Sequence, residues 1–546
     1  MGPRGQFQAG RSVTASDWLA RGGAVAAGLA AAFAHPPFGI LPGLLGYAAL
    51  LWLCDHADPT RPRRSAFFRG WLTGVAYFTV STWWIGEAFF VDAKDQAWMA
   101  PFAVAGIAAG LALFWGAAAA LYRTLAPAGP LRLLVFAGAL AGAEWLRGNV
   151  LTGFPWDLPG ETWRAGSDPS QLASVVGAYG LTWITLAIAT APGLGVRSRP
   201  ERLAIGLAVT ALAGLYGYGA GRLSLAEPIA PNAPVVRVVQ PDTPELATYD
   251  AAAFADVLKR NLDLTRLGVA PGVARPPDVI VWSEAGLPDA LEDYLAPGSW
   301  TLAQIEAALR PGQTLITGGY RAEPATPGAY APDGQIYHNS LVALTRTAAG
   351  VTITGLYDKH RLVPFGEYLP FDRELAPLGV KQLVHLGQGF TPGPPPRPIF
   401  PPGLPPAQPL ICYESLFPGF TNEAALRAGR RPGWIVNVSD DAWFGVTSGP
   451  WQHLNLASYR AIEEGLPMVR ATPTGISAVI DAYGRTLPGK RLGQSVYGAI
   501  DSPLPPALPS TPFEVCGDEI FVAMVLISLA SSLPKWRAAL QRNSAH

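Results

Sequence analysis

Cysteine and charge are both scarce in this chain. Of its 546 residues only three are cysteines, too few for a disulfide framework, and no Cys-x-x-Cys or Cys/His cluster suggests a metal site. Charged residues make up 15%, below the roughly 25% of globular proteins. The formal net charge of +0 gives no overall field that would attract nucleic acid. We therefore predict no metal, no cofactor and no nucleic-acid partner.

The shortage of charge is concentrated in one part of the sequence. Up to about residue 220 charged residues are sparse, whereas from about 230 to 510 they are as frequent as in water-soluble proteins. The chain is also too long for one ordinary domain. We predict a membrane domain at 1–225 with seven spans, an extracytoplasmic domain at 230–512, and a C-terminal transmembrane helix with a cytoplasmic tail at 513–546.

Eight apolar runs approach the length that crosses a hydrocarbon core of about 30 Å. The first two are short and are joined by HPPFGILPG, which favours a tight helical hairpin. The start of the chain resembles a signal peptide, but no convincing cleavage site follows, so we expect a retained helix. The runs lie at about 18–34, 40–54, 68–90, 99–122, 130–147, 172–196, 202–220 and 518–534.

Basic residues indicate the orientation of these spans, because short cytoplasmic loops are rich in lysine and arginine. With eight spans every basic cluster falls on one side of the membrane. Arg61, Arg63 and Arg64 follow the second span, for example, and Lys535 and Arg537 follow the last. We therefore predict that both termini are cytoplasmic and that the polar block faces outward.

Short β-branched runs alternate with helix-like segments from residue 233 onward. Several runs end in polar residues, a pattern typical of an α/β layered fold whose site lies at the strand ends. The clearest runs are VVRVVQ, DVIVWSE, TLITGGY, SLVALT, PLICYES and GWIVNVS.

Cys412 follows the apolar run PLI and is the candidate nucleophile. A thiol attacks a carbonyl as the thiolate, so it needs a base and a group that stabilises the oxyanion. Glu284 is suited to be the general base if burial raises its pKa. Lys359 supplies positive charge for the oxyanion, and the backbone amide of Tyr413 is a natural second donor.

Other residues leave alternatives open. Glu367 and Glu414 could orient the lysine or bind an incoming amine. A papain-like pairing of Cys412 with His360 or His453 is also compatible with the spacing. Each residue by itself has a plainer interpretation, since a cysteine after an apolar run is more often a core residue.

Longer motifs surround these residues. They are WSEA at 282–285, YDKHRLVPFGEYLP at 357–370, CYES at 412–415, NVSDDAWFG at 437–445 and EWLRG…TGFPW at 144–156. Together they resemble the nitrilase (carbon–nitrogen hydrolase) superfamily and, within it, the bacterial apolipoprotein N-acyltransferases. The strings K-x-x-L-V-P-F-G-E-Y and D-A-W-F-G are rarely matched by chance.

The resemblance implies an αββα sandwich with the triad Glu284, Lys359 and Cys412. It implies that the cysteine takes an acyl chain from the sn-1 position of a phospholipid, typically phosphatidylethanolamine. The α-amine of a diacylglyceryl-cysteine on an apolipoprotein then accepts it. The implied location is the bacterial inner membrane with a periplasmic catalytic domain. The supporting residues are Glu367, Tyr413 and Glu414, and the predicted substrate contacts are Tyr249, Phe365, Tyr368 and Trp443.

A thioester intermediate must be kept from water, or the enzyme becomes a phospholipase. The segment 363–384 is rich in apolar residues, among them Phe365, Tyr368, Phe371 and Leu375. It either forms an apolar arm that shields the thioester or packs the core of its own domain.

The chain departs from the family pattern at a few positions. Ser283 stands where proline is common, and Asp440 replaces an asparagine. Asp242 and Tyr249 stand where asparagine and tryptophan are expected. The triad is unaffected, so these departures concern headgroup or acceptor preference.

Two other functions stay open. A membrane-tethered amidase or nitrilase that cleaves a small C–N substrate would use the same triad, but it has no need of eight helices. A catalytically silent protein that binds lipid or escorts lipoproteins is the second, and the intact triad weighs against it.

Overall fold

The computed structural model describes residues 15–246, 250–288, 290–325, 334–371, 389–422 and 428–533. These residues form a helical part and a two-sheet part. The helical part begins with α1 (Ala15–Phe33), α2 (Leu45–Asp55), α3 (Pro62–Thr82), α4 (Ala93–Gln96), α5 (Ala100–Leu125), α6 (Arg132–Asn149), α7 (Ala173–Thr190) and α8 (Arg199–Ser224).

Small residues let these helices approach one another closely. A Cβ atom on Gly28 of α1 would lie 2.1 Å from the carbonyl oxygen of Thr73 on α3. One on Gly70 of α3 would lie 2.6 Å from the carbonyl oxygen of Trp115 on α5. Such close contact between backbones is typical of helices that associate in lipid.

Three helical segments of the described residues are long and apolar enough to cross a membrane. They are Ala93–Leu125, Pro169–Leu194 and Arg199–Ser224, and the apolar helices Leu41–Asp55 and Glu519–Ala530 are shorter. The apolar surface of α8 is largely exposed, as expected for a helix that faces lipid. These helices support a membrane protein, while the number of eight spans stays a prediction.

The two-sheet part contains two mixed sheets. One has the strand order β11-β1-β2-β3-β4-β5 and the other β10-β9-β8-β7-β6. The strands are β1 (Val235–Gln240), β2 (Val279–Val281), β3 (Thr314–Pro324), β4 (Gln335–Thr347), β5 (Gly350–Asp358), β6 (Ala407–Ile411), β7 (Trp434–Val438), β8 (Met468–Ala471), β9 (Ala478–Ile480), β10 (Thr486–Arg491) and β11 (Gly498–Pro503).

The sheets pack face to face, with helices on both outer surfaces. Buried residues of both sheets, such as Val281 and Val438, share one apolar core. The outer face of the first sheet is covered by α9 (Ala251–Thr265), α10 (Leu291–Tyr294) and α11 (Trp300–Ala308). The outer face of the second is covered by α12 (Gly449–Glu464). The predicted nitrilase-like α/β domain is therefore confirmed.

Helix α12 is buried on both sides, because its other face contacts the helical part. The Tyr459 hydroxyl donates to the carbonyl oxygens of Gly160 (3.1 Å) and Trp163 (2.5 Å). The Ala178 N–H of α7 donates to Glu463 Oε1 at 2.8 Å. The sandwich and the helical part therefore share a buried polar interface.

The chain returns to the helical part after the last strand. It forms α13 (Pro512–Cys516) and α14 (Glu519–Ala530). The Trp183 indole of α7 donates to Ser528 Oγ at 2.8 Å. The Trp145 indole of α6 donates to Asp518 Oδ2 at 2.8 Å. Helix α14 therefore packs against α6 and α7, far from it in sequence.

Candidate active site

Each residue of the predicted triad lies just after a strand. Glu284 comes three residues after the end of β2, Lys359 directly follows β5, and Cys412 directly follows β6. The apolar residues of β2 and β6 are fully buried, which fixes both strands within the sandwich. The predicted positions at strand ends therefore agree with the structure.

Lys359 lies at the centre of an ion-pair cluster. Its Nζ is 2.8 Å from Glu367 Oε1 and 3.1 Å from Glu284 Oε1, and its side chain is 1% exposed. The Val363 N–H fixes Glu367 by donating to its Oε2 at 2.7 Å. Glu284 Oε2, by contrast, is buried and has no hydrogen-bond partner among the described residues. Glu284 thus keeps one oxygen available to accept a proton.

Asn339 of β4 joins the two carboxylates, although the sequence did not predict a role for it. Its Nδ2 donates to Glu284 Oε1 and to Glu367 Oε1, each at 2.7 Å. Its backbone carbonyl accepts from the Lys359 N–H at 2.8 Å. One neutral residue therefore positions three charged ones, since its side-chain amide contacts both glutamates and its backbone carbonyl contacts the backbone of Lys359. The available signal was a polar residue directly before the apolar run SLVALT, which is weak by itself.

The surroundings favour a charged lysine and an uncharged thiol. Burial acts to lower the pKa of Lys359, but Glu284 and Glu367 outweigh it, so the pKa lies above its ordinary value. Burial raises the pKa of the Cys412 thiol, Glu284 raises it further, and Lys359 opposes them. Such a thiol needs a carboxylate to take its proton as it attacks.

Cys412 has a left-handed backbone conformation, with φ at 46°. Strain of this kind persists where surrounding structure imposes it, and it is common at functional sites. Cys412 begins a 3₁₀ segment, Cys412–Leu416. The Tyr413 amide therefore lies in a first turn, where N–H groups lack a partner within the helix. This N–H and the Lys359 ammonium are both suited to stabilise an oxyanion.

Glu414 connects the nucleophile to the lysine loop. Its Oε1 accepts from the Tyr357 hydroxyl (2.7 Å), the His360 N–H (2.8 Å) and the Arg361 N–H (3.1 Å). Its Oε2 accepts from the Ile411 N–H at 2.9 Å. Burial raises the pKa of Glu414 to about 7, against the opposing effect of these hydrogen bonds. Since both oxygens are engaged, Glu414 holds the backbone together and is not free to bind an amine.

Neither histidine of the papain-like alternative forms a described hydrogen bond with the thiol. His453 Nε2 lies 3.3 Å from the backbone oxygen of Cys412, and its Nδ1 lies 2.9 Å from Asp441 Oδ1. His360 Nδ1 lies 2.9 Å from the carbonyl oxygen of Gly393. These contacts favour Glu284 over a histidine as the base.

Asp441 is held by a buried cation. Arg470 Nη2 donates to its two carboxylate oxygens at 2.9 and 2.8 Å. Burial acts to raise the pKa of Asp441, but Arg470 and His453 hold it well below its usual range. Arg470 and Asp441 therefore hold the His453 ring beside the backbone of Cys412.

The loop after α6 contacts the nucleophile turn. The Tyr413 hydroxyl donates to the carbonyl oxygen of Gly153, and the Phe154 ring is stacked on the Tyr413 ring with centroids 6.5 Å apart. Arg147, paired with Glu144 at the end of α6, donates to the Phe154 carbonyl oxygen. Residues of the motif EWLRG…TGFPW therefore connect the helical part to the turn that carries the nucleophile.

The predicted substrate-binding aromatic residues differ in their surroundings. Phe365 is 51% exposed and Trp443 40% exposed, whereas the Tyr368 hydroxyl donates to Thr152 Oγ1 at 2.9 Å. Tyr249 lies outside the described residues.

Only the first part of the predicted apolar arm, residues 363–371, is described, and Leu375, Leu378 and Leu383 lie outside it. Phe371 is 63% exposed and Phe365 is also exposed, while Leu369 is buried. The exposed aromatic residues favour a shielding surface over a purely internal core.

Asp440, one of the departures from the family pattern, is paired with Glu245. The two carboxyl groups interact with each other, and Asp440 Oδ1 accepts from the Ala442 N–H at 3.0 Å. Burial raises the pKa of both carboxyl groups above their ordinary values. The raised pKa values favour a proton on this pair, whose charges also act on Glu284.

Two family models match the chain. Residues 27–191 match the apolipoprotein N-acyltransferase N-terminal domain, and residues 236–504 match the carbon-nitrogen hydrolase family. An apolipoprotein N-acyltransferase from Caulobacter vibrioides is 57% identical over 94% of both chains. One from Bradyrhizobium diazoefficiens is 39% identical over 95% of both. One from Rhodopseudomonas palustris is 37% identical over 93% of this chain and 94% of the relative.

Among solved structures, an amidase from Nesterenkonia sp. aligns with 52% of this chain and 93% of its own length. Its sequence is 16% identical and the TM-score is 0.32. A likeness of this size carries no argument about function.

Proposed function

Because this chain belongs to the apolipoprotein N-acyltransferase family, we propose that it N-acylates apolipoproteins through a thioester on Cys412. The protein is a membrane acyltransferase of lipoprotein maturation, and it acts on a lipoprotein acceptor and an acyl donor.

One observation supports the catalytic roles most directly. Buried Lys359 is paired with both Glu284 and Glu367, while Glu284 Oε2 has no partner among the described residues. The paired lysine stays protonated and can stabilise an oxyanion. The free oxygen can accept the proton of the Cys412 thiol. The three residues thereby have separate roles as nucleophile, base and oxyanion stabiliser.

In the first step, Glu284 takes the thiol proton as Cys412 Sγ attacks the carbonyl carbon of the sn-1 ester of a phospholipid. The new C–S bond forms a tetrahedral oxyanion beside Lys359 and the Tyr413 amide. The C–O bond then breaks, and the glycerol oxygen leaves with the proton from Glu284. The products are a thioester and a lysophospholipid. Phosphatidylethanolamine is the donor we propose.

In the second step, the α-amine of a diacylglyceryl-cysteine attacks the thioester. A C–N bond forms, the C–S bond breaks, and the thiolate leaves. Glu284 takes a proton from the attacking amine and returns it to the thiolate. Because donor and acceptor occupy the same site in turn, one site suffices for two large lipids. Exposed Phe365 and Phe371 are suited to keep water from the thioester between the steps.

The proposed location is the inner membrane, with both termini in the cytoplasm and the two-sheet domain in the periplasm. The Lys/Arg pattern of the loops supports this orientation. The contact between Tyr413 and the loop after α6 supports a site close to the lipid, since that loop directly follows an apolar helix.

The test is the intact mass of the detergent-purified protein after incubation with phosphatidylethanolamine and no acceptor. We expect a gain of one fatty acyl group on Cys412 that neutral hydroxylamine removes, and its transfer when a diacylated lipopeptide is added. A Cys412→Ser variant should gain no thioester. The control is Cys516→Ser, because Cys516 is a free cysteine at the end of α13 and is not part of the proposed triad.

An unmodified Cys412 in folded protein that hydrolyses a small amide would instead identify the membrane-tethered amidase. An acyl group located on another residue would refute the nucleophile assignment.

A further inference from the structure

Arg361 lies beside the proposed site, and no step above uses it. Its guanidinium carbon is 4.1 Å from the centroid of the Phe417 ring and 5.9 Å from that of Phe420. Among the ion pairs of the described residues, none joins an acidic side chain to Arg361. Aromatic contact covers one face of the guanidinium group and leaves its N–H groups for another acceptor.

The backbone holds Arg361 close to the reacting atoms. Its N–H donates to Glu414 Oε1 at 3.1 Å, and it comes two residues after Lys359. The Phe417 ring that it contacts lies 5.1 Å from the Tyr413 ring, which follows the nucleophile. Burial raises the pKa of the Tyr413 hydroxyl, and the charge of Arg361 opposes that effect. A group bound by Arg361 would therefore lie close to an acyl group on Cys412.

The remainder of the site is unfavourable for an anion. Glu284 and Glu367 carry two negative charges, whereas Lys359, whose ammonium contacts both carboxylates, carries one positive charge. A phosphodiester that entered this site would be repelled by the excess negative charge unless another cation faced it. Arg361 is a cation in that position.

An apolar surface lies near Arg361 as well. Leu151 is 72% exposed on the loop that contacts Tyr413, and Phe365 is exposed on the lysine loop. The Tyr368–Thr152 hydrogen bond joins these two loops. A molecule with an anionic phosphate and apolar chains matches this combination of surfaces.

We propose that Arg361 binds the phosphate of the phospholipid acyl donor and orients its sn-1 ester toward Cys412. The inference rests on the proposed function, in which a phospholipid acylates Cys412. A planar guanidinium group with parallel N–H donors is well matched to phosphate oxygens. The diacylglyceryl-cysteine acceptor carries no phosphate at this position, so Arg361 acts in the first step and selects the donor.

The test compares two donors with the same acyl chains, phosphatidylethanolamine and a diacylglycerol, presented to the full chain in mixed micelles. The initial rate of acylation of Cys412 is measured by intact mass. We expect the wild-type protein to react at least about tenfold faster with the phospholipid, a ratio that corresponds to about 1.4 kcal/mol. Arg361→Gln should remove that preference, and Arg361→Lys should restore part of it. The matched control is Arg430→Gln, because Arg430 also lies over an aromatic ring, that of Phe400 at 5.5 Å.

If Arg361→Gln still reacted faster with phosphatidylethanolamine than with diacylglycerol, the assignment would be overturned. An equal loss of rate with both donors would also overturn it, because that result indicates a structural role. Arg361→Lys that is no better than Arg361→Gln would contradict a role for the charge. Failure of the proposed function itself gives a different result, because the wild-type protein would then gain no acyl group from either donor.

Discussion

At the scale of single residues, Asn339 is the side chain that positions both carboxylates around Lys359. We predict that Asn339→Ala lowers the rate of Cys412 acylation by about 10- to 100-fold, since hydrogen bonds to charged groups contribute about 1.5–3 kcal/mol each. Intact mass at short times measures this rate. Asn261→Ala is the control, because Asn261 is also buried but bonds to the backbone of Val257 and Gly286. Equal rates in wild type and Asn339→Ala would show that Lys359 and the Val363 N–H orient the carboxylates without Asn339.

The protonation state of Cys412 gives a second prediction at this scale. Burial and Glu284 raise the pKa of its thiol above the ordinary value of 9.0, so the group keeps its proton at pH values where a free thiol has lost it. Alkylation of Cys412 by iodoacetamide should therefore show no inflection between about pH 7 and 9, whereas a small reference thiol titrates near 8.5. Peptide mapping by mass spectrometry gives the rate at this residue. An inflection at or below the pKa of the reference thiol would contradict the prediction.

The sequence was informative about residues whose role depends on local pattern. Glu284, Lys359 and Cys412 each follow a strand, and the buried apolar runs VIV and PLI identify two of those strands directly. Asn339 was missed because a neutral amide within a strand gives no pattern of its own. Its partners lie 55 and 28 positions away, and only the fold brings them together.

At the scale of elements, the turn after β7 carries a buried ion pair that supports the nucleophile. We predict that Asp441→Asn destabilises the protein by about 3–5 kcal/mol, because it leaves Arg470 buried without its partner. The same change should lower acylation, since Asp441 holds the His453 ring that lies beside the backbone of Cys412. Denaturant unfolding and the intact-mass assay measure the two effects.

The control is Asp501→Asn, which breaks the buried pair of Arg237 and Asp501, 2.7 Å apart, elsewhere in the sandwich. It should destabilise the fold by a similar amount without affecting acylation per folded molecule. An Asp441→Asn variant that acylates normally would separate this ion pair from the nucleophile.

The stabilisation that Asp441 gives to the fold depends on pH. The pKa of Asp441 is lower in the folded protein than its ordinary value of 3.8, so the folded state binds fewer protons at this group. Its stabilisation is present above about pH 4 and is lost as the pH falls further. The difference in unfolding free energy between wild type and Asp441→Asn should therefore be constant from about pH 8 to 5 and decrease below pH 4.

At the scale of the whole molecule, α12 packs against both the second sheet and the helical part. A fragment of residues 230–512 would expose Tyr459 and Ile462, which share a buried cluster with Trp163 and Leu215. We predict that this fragment aggregates or melts at a lower temperature than the full chain. Light scattering and thermal melting, with the full chain in detergent as the reference, measure this. A monomeric fragment as stable as the full chain would show that the interface contributes little.

A layered α/β fold was predictable at this scale from the alternation of strand and helix patterns, whereas the sandwich arrangement came from the family resemblance. The interface of α12 was not, because polar residues such as Tyr459 and Asn455 resemble a solvated face in sequence. Their partners are the backbone carbonyl groups of Gly160 and Glu161. No sequence pattern predicts that a backbone carbonyl group will accept such a bond. The number of spans is similarly difficult to read, since Leu41–Asp55 and Glu519–Ala530 are apolar but short.

The position of α14 has a consequence for biosynthesis. The ribosome releases α1 to α8 first, then the complete sandwich, and α14 last. Trp145 and Trp183 donate hydrogen bonds to Asp518 and Ser528 in this final segment. These contacts of α6 and α7 can therefore form only after nearly the whole polypeptide has been translated. A nascent chain that stalls within the sandwich would display an unfilled groove between α6 and α7.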